Sequence, residues 1–488
     1  MLDPVDPGPP IGEPPFTLGV ASGDPGADRV VLWTAIDRPD ERAVVVEIAT
    51  DPAMASIVGR HTSTAHPDEA MTTRLVASGL RADTEYWYRF LVDGHHSPIG
   101  RTRTAPAPGT LPGAELTIGH LSCMRRSDGY WTALADLADA APDIVVHCGD
   151  YVYEADGGPI RPEDRTPPTD LDGYRALWRS YKADPDLQAA HAVAPWLMTW
   201  DDHEVENNYQ GDDPGDPPDG EAFAAQRAAA YRAWWEFTPT ALPAPSPVTT
   251  TDLGVHRTID WGALTRFVLL DSRQYRDDQP CPGDLATDVG PRCDASETVS
   301  MLGGAQESWV GEVVHHEATW TTIVNQTVLH QWRFLSGNLL WNLDQWDGYP
   351  AARRRLLDQL RGAPDPVVLT GDVHSSWAAD LWLDFDAASA ADTEPVGVEF
   401  VGPGVSSRFP HALQGAASFL PNSLDYIDWA ETTKRGWVRH RVDAESWTAE
   451  FRLVDDITTP GSPVRVHRRV TVARGELRIG ASEAGDES

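Results

Sequence analysis

No stretch of this 488-residue chain approaches the roughly 20 consecutive apolar residues that cross a bilayer as a helix, so a helical membrane span is excluded. Basic residues are scarce: 39 Lys and Arg stand against 74 Asp and Glu, a formal net charge of −35. That balance argues against a partner of nucleic acid or anionic membrane, both of which are held by basic patches. An anionic substrate would need cations gathered at its site, reversing the sign locally while the remaining surface stays acidic. Cysteine is sparse as well, with 4 in all. Cys281 and Cys293 bracket a Pro- and Gly-containing loop with no other close Cys or His. That context favours a short-loop disulfide over a zinc site, and with it an oxidising compartment. Cys123 and Cys148 end apolar runs instead, Cys148 as packing within its strand. The opening MLDPVDPGPPIGEPP has neither the basic nor the apolar region of a secretory leader. The expectation is a secreted, periplasmic or cell-surface protein whose leader is missing from this sequence, with the cytoplasm as the alternative.

Residues 1–15 are Pro-rich without periodicity and read as an extended arm. Across 16–108 the signals are short strands at 30–34, 43–49, 72–77 and 85–92, separated by turns such as Asp24-Pro25-Gly26 and Asp93-Gly94. Strands at that spacing with no helix between them predict a small β-sandwich similar to fibronectin type III modules. The stretch APAPGTLPG, 105–113, reads as a linker. From 114 to 475 strands alternate with helices, the grammar of an α/β domain built from parallel βαβ units. Strands are expected at 116–121, 144–148, 196–200, 255–260, 266–271, 320–325, 367–370 and 398–401. Helices are expected at 130–140, 174–181, 185–193, 221–237 and 351–361. The stretch 436–472 alternates in strand fashion, and 476–488 is expected to be a disordered tail. The acidic tract GDDPGDPPDG at 211–220 lacks the spacing of a calcium loop and reads as a solvated loop.

Four apolar runs end in potential metal ligands. The central one, IVVHCGDYVYE at 144–154, breaks at Gly149-Asp150 and delivers Asp150 and Tyr153 to one loop. The others end in Ser122-Cys123, in Trp200-Asp201-Asp202-His203-Glu204 and in Gly371-Asp372-Val373-His374. Ligands collect at the carboxyl ends of strands in open α/β sheets. The repetition therefore predicts one sheet edge carrying Cys123, Asp150, Tyr153, Asp202, His203, Asp372 and His374, a site for two or three metal ions. Singly, each has a plain reading: Gly-Asp is a common turn, a Tyr after a strand is usually core, and DDHE can cap a helix. The conjunction is harder to dismiss. A carboxylate such as Asp150 can bridge two cations. The phenolate of Tyr153 and thiolate of Cys123 suit trivalent iron, whereas Asp202, Asn207 and Asp372 offer only oxygen and suit calcium, manganese or magnesium. Clustered cations bind phosphate oxygens, activate a water and neutralise the leaving oxygen. His203 at the rim is the candidate to protonate a leaving group. Asp271 and Arg273 read as a structural ion pair, and Asn325 as an extra near the site.

The ordered set Ser122-Cys123, Gly149-Asp150-Tyr151-Val152-Tyr153-Glu154, Trp200 to Asn208 and Gly371-Asp372-Val373-His374 resembles the PhoD-type alkaline phosphatase and phosphodiesterase family. FTLGVASGDP near the start, Val30-Val31-Leu32-Trp33-Thr34 and Leu270-Asp271-Ser272-Arg273-Gln274-Tyr275 are similar to patterns of the same family, so the resemblance runs from about Phe16 to Val472. It implies a calcineurin-like metallophosphoesterase domain of layered αββα form behind the β-sandwich. It also implies one Fe3+ and two Ca2+, with Mn2+ or Zn2+ as the alternatives. Iron falls to Cys123, Asp150 and Tyr153, and to His374 by analogy with the wider superfamily. Calcium falls to Asp150, Asp202, Asn207 and Asp372. His203 and Asp150 take the catalytic roles, and His203 and Asn207 contact substrate. The GDxxY spacing is also similar to purple acid phosphatases, which carry His or Asn where this chain has Asp202 and Asp372; that difference favours calcium over zinc. Met124 departs from the Gln usual in the family at that place. The implied activity is hydrolysis of phosphate mono- and diesters by a metal-bound hydroxide, acting on small phosphoesters or phosphate-containing polymers, in a monomer without specific nucleic-acid binding. The alternatives are a phospholipase D-like phosphodiesterase and a non-catalytic secreted protein stabilised by its metals.

Overall fold

The computed structural model describes residues 11–485 except 156, 164, 215–219, 246–252, 282–288, 292–296, 333–340, 389–392 and 410–423. Two large sheets lie face to face because their strands have apolar side chains on both faces. In the larger sheet Ile118, Ile144, Val146 and Leu197 enter a core shared with Phe267, Leu269, Val324, Val367, Leu369 and Phe400 of the other sheet. Their neighbours Val145, Trp196 and Met198 point the opposite way, towards helices Thr132–Ala140, Leu171–Lys182, Pro185–Val193 and Gly220–Phe237. On the far side Val268, Ile323 and Val368 face helices Gly303–Val313 and Pro350–Leu360. The result is helix, sheet, sheet, helix: the αββα layering expected. Helix starts obey local chemistry, with Asp170 accepting from the Gly173 N–H at 2.8 Å and Asp184 capping Pro185–Val193.

The larger sheet has ten strands in the order Ala481–Ala484, Val464–Ala473, Ser446–Val454, Arg435–Val442, Leu116–Leu121, Ile144–His147, Pro195–Met198, Val20–Gly23, Arg29–Ala35, Thr72–Ser78. The smaller runs Arg257–Trp261, Thr265–Leu269, Trp320–Val324, Pro366–Thr370, Gly397–Val401, Ser376–Leu381, Ile427–Glu431. The N-terminal β-sandwich is present but shares a sheet with the α/β core. One of its layers is Arg42–Ala49, Ile57–Ala65, Glu85–Val92, His95–His96 and Gly100–Arg103. The other is Val20–Gly23, Arg29–Ala35 and Thr72–Ser78, and Ser22 and Gly23 pair in parallel with Pro195 and Trp196. Phe16, Leu32, Val46, Tyr88 and Phe90 fill the space between the layers.

The sequence reading misses Ile57–Ala65, an edge strand of mostly polar, exposed residues without an apolar stripe. Disorder across 476–488 fails at Ala481–Ala484, which pairs antiparallel with Arg468–Thr471 and receives the Arg468 Nε–H on Ser482 Oγ at 2.9 Å. Main-chain pairing to a ready edge suffices there, and such pairing leaves no periodic signal in the sequence. Cys123 and Cys148 are free thiols. Cys281 is buried against Trp341 and Leu343, and its expected partner Cys293 lies outside the described residues, as does part of the 211–220 tract. No helix among the described residues is long and apolar enough to cross a membrane.

A chain of buried rings ties the two sheets together just below the ligand loops. Trp447 Nε1–H donates to His440 Nδ1 at 2.9 Å, His440 Nε2 meets His120 Nδ1 at 3.3 Å, and His120 Nε2–H donates to the Thr370 carbonyl at 3.0 Å. Burial pushes the His120 imidazole down to about 4, so it stays neutral in the folded state. A depressed base of this kind contributes stability that is complete above about pH 6.5 and is lost as pH falls towards 4. The stability gap between wild type and His120→Leu, measured by urea unfolding of metal-stripped protein, should therefore narrow by on the order of 2 kcal/mol between pH 7 and pH 5. A gap independent of pH would show that His120 titrates normally.

Candidate metal centre

The ligand loops leave the strands at strained turns. Gly149 has φ 111°, and a Cβ on it would come within 2.6 Å of Asp201, so only glycine lets the Asp150 loop lie on the Asp201 loop. Cys123, Asp150, Asp372 and His374 have φ of 56°, 60°, 64° and 53°, the left-handed region that non-glycine residues seldom occupy. The surroundings hold them there. Cys123 N–H donates to the Gly149 carbonyl at 3.2 Å and Met124 N–H to the Asp150 carbonyl at 2.9 Å. The buried Glu204 carboxylate accepts from the N–H groups of Asp150, Tyr151 and Asp201 at 3.0, 2.7 and 2.9 Å, locking two loops together.

These turns bring four separate strand ends to one place. Ligand atoms fall into three groups, each within 4.8 Å: Cys123, Asp150 and His374; Asp150, Asp202 and His203; and Asp150, Asp201, Asp202 and Asp372. Asp150 belongs to all three. Tyr153 O–H donates to Asp150 Oδ2 at 2.7 Å and lies 3.0 Å from His374 Nε2. His374 Nδ1–H donates to the Arg408 carbonyl at 3.0 Å, and burial pushes its imidazole down to about 3. The ring is therefore neutral, with its Nε2 lone pair aimed at Tyr153 and Asp150, as a metal-ligating histidine requires.

Electrostatics point the same way. Burial, followed by the charges of Asp201 and Asp202, pushes Asp150 and Asp372 well above the usual carboxylate range. Burial and Asp150 likewise raise the Cys123 thiol and the Tyr153 phenol. Asp202 is buried too, yet Arg273 and His203 hold it below its ordinary value. Asp202 Oδ1 and Asp201 Oδ2 are buried without a hydrogen-bond partner. Crowded carboxylates, orphaned oxygens and a presented imidazole lone pair together fit a group of cations.

His203 Nδ1 lies 2.7 Å from Glu154 Oε2, and its ring lies tilted against Tyr153 with centroids 4.1 Å apart. Although burial opposes the charged form, Glu154, Asp202 and Asp150 raise its pKa well above the ordinary value, which keeps it protonated. Asn207 is exposed, and its main-chain N–H donates to Glu154 at 3.1 Å. Asn325 does not reach the cluster in its hydrogen bonds: its side chain meets the Thr327 carbonyl and Trp346 Nε1.

One expectation fails here. Asp271 does not pair with the Arg273 guanidinium; its carboxylate caps its own turn, accepting from the N–H groups of Arg273 and Gln274 at 3.0 Å each. The Arg273 side chain, fully buried, instead bonds Asp201, grips Asp344 at 2.8 and 2.9 Å and reaches Asp372 at 3.2 Å. Sequence reasoning also passes over Asp201, Glu154, Asp344, Gln345 and Ser407. Asp201 and Glu154 stand inside the quoted stretches and were open to notice. Gln345, which bonds Asp372, and Ser407, whose hydroxyl lies 2.8 Å from that of Tyr153, come from loops with no strand-end signature.

The two-sheet core and its strand-end donors define a metallophosphoesterase fold. A purple acid phosphatase from yellow lupin seeds shares that fold, with a TM-score of 0.59 at 12% identity over 93% of this chain and 74% of that one. The sequence narrows the class further. The family model of PhoD-like phosphatases matches residues 118–451 and that of their N-terminal domain residues 5–106. Alkaline phosphatase D of Bacillus subtilis (strain 168) is 37% identical over 481 residues, covering 92% of this chain and 79% of that protein. The solved structure of PhoD superposes with a TM-score of 0.88 at 34% identity, covering 96% of this chain and 93% of that one. This chain belongs to the PhoD-like phosphatase family and is a phosphoric ester hydrolase.

Removing the Arg273 guanidinium from the cluster tests its electrostatics. Arg273→Met should cost about 3–5 kcal/mol in metal-stripped protein, because Asp201 and Asp372 lose their buried guanidinium and Asp344 keeps only Arg276. Added calcium should then recover more thermal stability in the variant than in wild type. An unchanged melting temperature in the stripped variant would refute this account.

Proposed function

We propose that the enzyme hydrolyses phosphate mono- and diesters at a mixed centre of one Fe3+ and two Ca2+. The reading rests on one observation: Asp150 is common to a thiol-imidazole group and to an all-oxygen group. Cys123, Tyr153 and His374 would hold iron with Asp150, since charged sulfur and phenolate donors suit a trivalent ion. Asp202, Asn207 and Asp372, with Asp150, would hold calcium, which accepts carboxylate and amide oxygens in flexible geometry. Mn2+ or Zn2+ is the competing occupancy. Cations bound there supply Lewis-acid charge against the phosphoryl oxygens and an activated water.

The chain's own groups do the rest. Arg273 holds Asp201 and Asp372 in place, so their charge stays ordered before substrate arrives. His203, held at 2.7 Å by Glu154 and set against the Tyr153 ring, donates its proton to the leaving oxygen. We place the substrate-facing work on His203 and Asn207, and assign 16–108 to the sandwich and 114–475 to the catalytic domain. A monomer exported to an oxidising compartment, with a Cys281–Cys293 disulfide, completes the reading. Among the described residues the exposed large apolar side chains are Ile11, Ile57, Val58, Val76, Ile99 and Leu111, all in the first part of the chain. None of them lies on the ligand loops.

Elemental analysis of protein purified without chelators should give near one iron and two calcium per chain. A visible charge-transfer band from Tyr153 and Cys123 should accompany them. Colourless protein holding only zinc would remove iron from the proposal. Asp150→Ala should lose both kinds of metal and about a hundredfold or more in turnover; metal content near that of wild type would refute the bridging role.

A further inference from the structure

A cationic cavity beside the metal centre takes no part in the reaction as described. It encloses ≈ 320 Å³ and is lined in part by Arg408, Lys434, Arg435, Asp455 and Asp456. That volume lies at the lower end of small-ligand clefts. In a chain of net charge −35, three cations lining one cavity call for a physical reason.

The cavity wall is continuous with the ligand loops. The Arg408 carbonyl accepts from His374 Nδ1 at 3.0 Å, and the Arg408 N–H donates to Asp128 at 3.0 Å. Arg435 Nε–H donates to the Ser407 carbonyl, and the Ser407 hydroxyl lies 2.8 Å from that of Tyr153. The cavity wall thus touches His374 through the Arg408 carbonyl and Tyr153 through Ser407.

Its charge is only partly compensated, by Asp455 and Asp456 on the same wall. Arg435 is 3% exposed, and its guanidinium bonds only the neutral carbonyls of Ser407, Thr432 and Lys434. The Arg408 guanidinium meets the Asp128 carbonyl at 3.3 Å. Among the described residues neither has a carboxylate at ion-pair distance, although the charges of Glu431 and Asp128 act on Arg435 from further off. Lys434 has one, in Asp455 at 3.7 Å. Burial draws Arg435 down only to about 10, so it stays charged at neutral pH. Bracing a loop explains the carbonyl contacts of Arg435, but it does not explain why Arg408 and Lys434 face the same space. A buried cation bonded only to neutral groups is costly until an anion joins it.

We propose that this cavity is a subsite for a second phosphate group of the substrate, bound by Arg408, Lys434 and Arg435 while the scissile phosphate lies at the metal centre. The inference rests on the phosphoester-hydrolysis reading of that centre and names a substrate class: molecules carrying two phosphates a short chain apart. Asp455 and Asp456 on the same wall offset part of the positive charge, which suits one phosphate better than an extended polyanion.

The test compares a chain-length series of α,ω-alkanediol bisphosphates with the matching alkyl monophosphates by phosphate release. At one chain length or more, the bisphosphate should show a KM lower by about tenfold at similar kcat, the effect of one charge-assisted contact. Lys434→Ala, which bares Asp455, should remove most of that preference, and Asp455→Asn should enlarge it. A merely structural Lys434 would not produce opposite effects in the two variants. Independently of turnover, inorganic phosphate should bind metal-stripped protein by calorimetry and bind Arg408→Gln about tenfold more weakly. Equal KM across the series, or phosphate binding indifferent to Arg408→Gln, would overturn the subsite. Absence of all turnover with Arg408-dependent binding intact would uphold the subsite and sink the reaction instead.

Discussion

Asp150, Asp201, Asp202 and Asp372 each place a ligand oxygen within 4.8 Å of the others inside the protein, and much of the surrounding structure serves to bear that repulsion. Two like charges about 4 Å apart repel by about 4 kcal/mol at an effective dielectric near 20. Arg273 answers part of this from within, bonding Asp201 and Asp372 while Asp344 fixes its other face. Bound cations answer the remainder. The acidic interior is therefore a stored demand for metal, and the chain's general excess of acid is a separate matter of its surface.

Such a cluster can exist only where the backbone is held against its preferences. Four residues of the candidate cluster adopt left-handed φ, each a conformation that costs of order 1–3 kcal/mol for a side chain with a Cβ. The two sheets carry that cost, because strands buried on both faces are the least deformable part of an α/β fold. Glu204 then joins the Asp150 and Asp201 loops through three main-chain N–H groups, so neither loop can relax alone.

The N-terminal sandwich shares in this support. Without Val20–Gly23, the strand Pro195–Met198 would be the open edge of the large sheet, and it is that strand which leads into Asp201 and Asp202. Parallel pairing of Ser22 and Gly23 to Pro195 and Trp196 closes the edge. The sandwich is thus a structural buttress of the metal centre, whatever else its outer surface does.

The sequence by itself determined the layered α/β class and most of its strands, because apolar runs of four to six residues between helical periods have few other ways to be buried. It also singled out Cys123, Asp150, Tyr153, Asp202, His203, Asp372 and His374, since each stands directly after such a run and strand ends are where α/β sheets gather ligands. It was silent on features carried by main-chain pairing. The edge strands Ile57–Ala65 and Ala481–Ala484 have little apolar pattern and are held by their neighbours' hydrogen bonds. Only the tertiary structure decided which partners Arg273 takes: sequence proximity suggested Asp271, but that carboxylate is consumed by its own turn, and the guanidinium crosses to Asp201, Asp344 and Asp372. The same holds for Gln345, Ser407 and the Arg408 carbonyl, which orient ligands from loops without any local signal. Residues that bind through their own position along a strand are legible in one dimension. Residues that act by facing another loop are decided by how the two sheets bring those loops together.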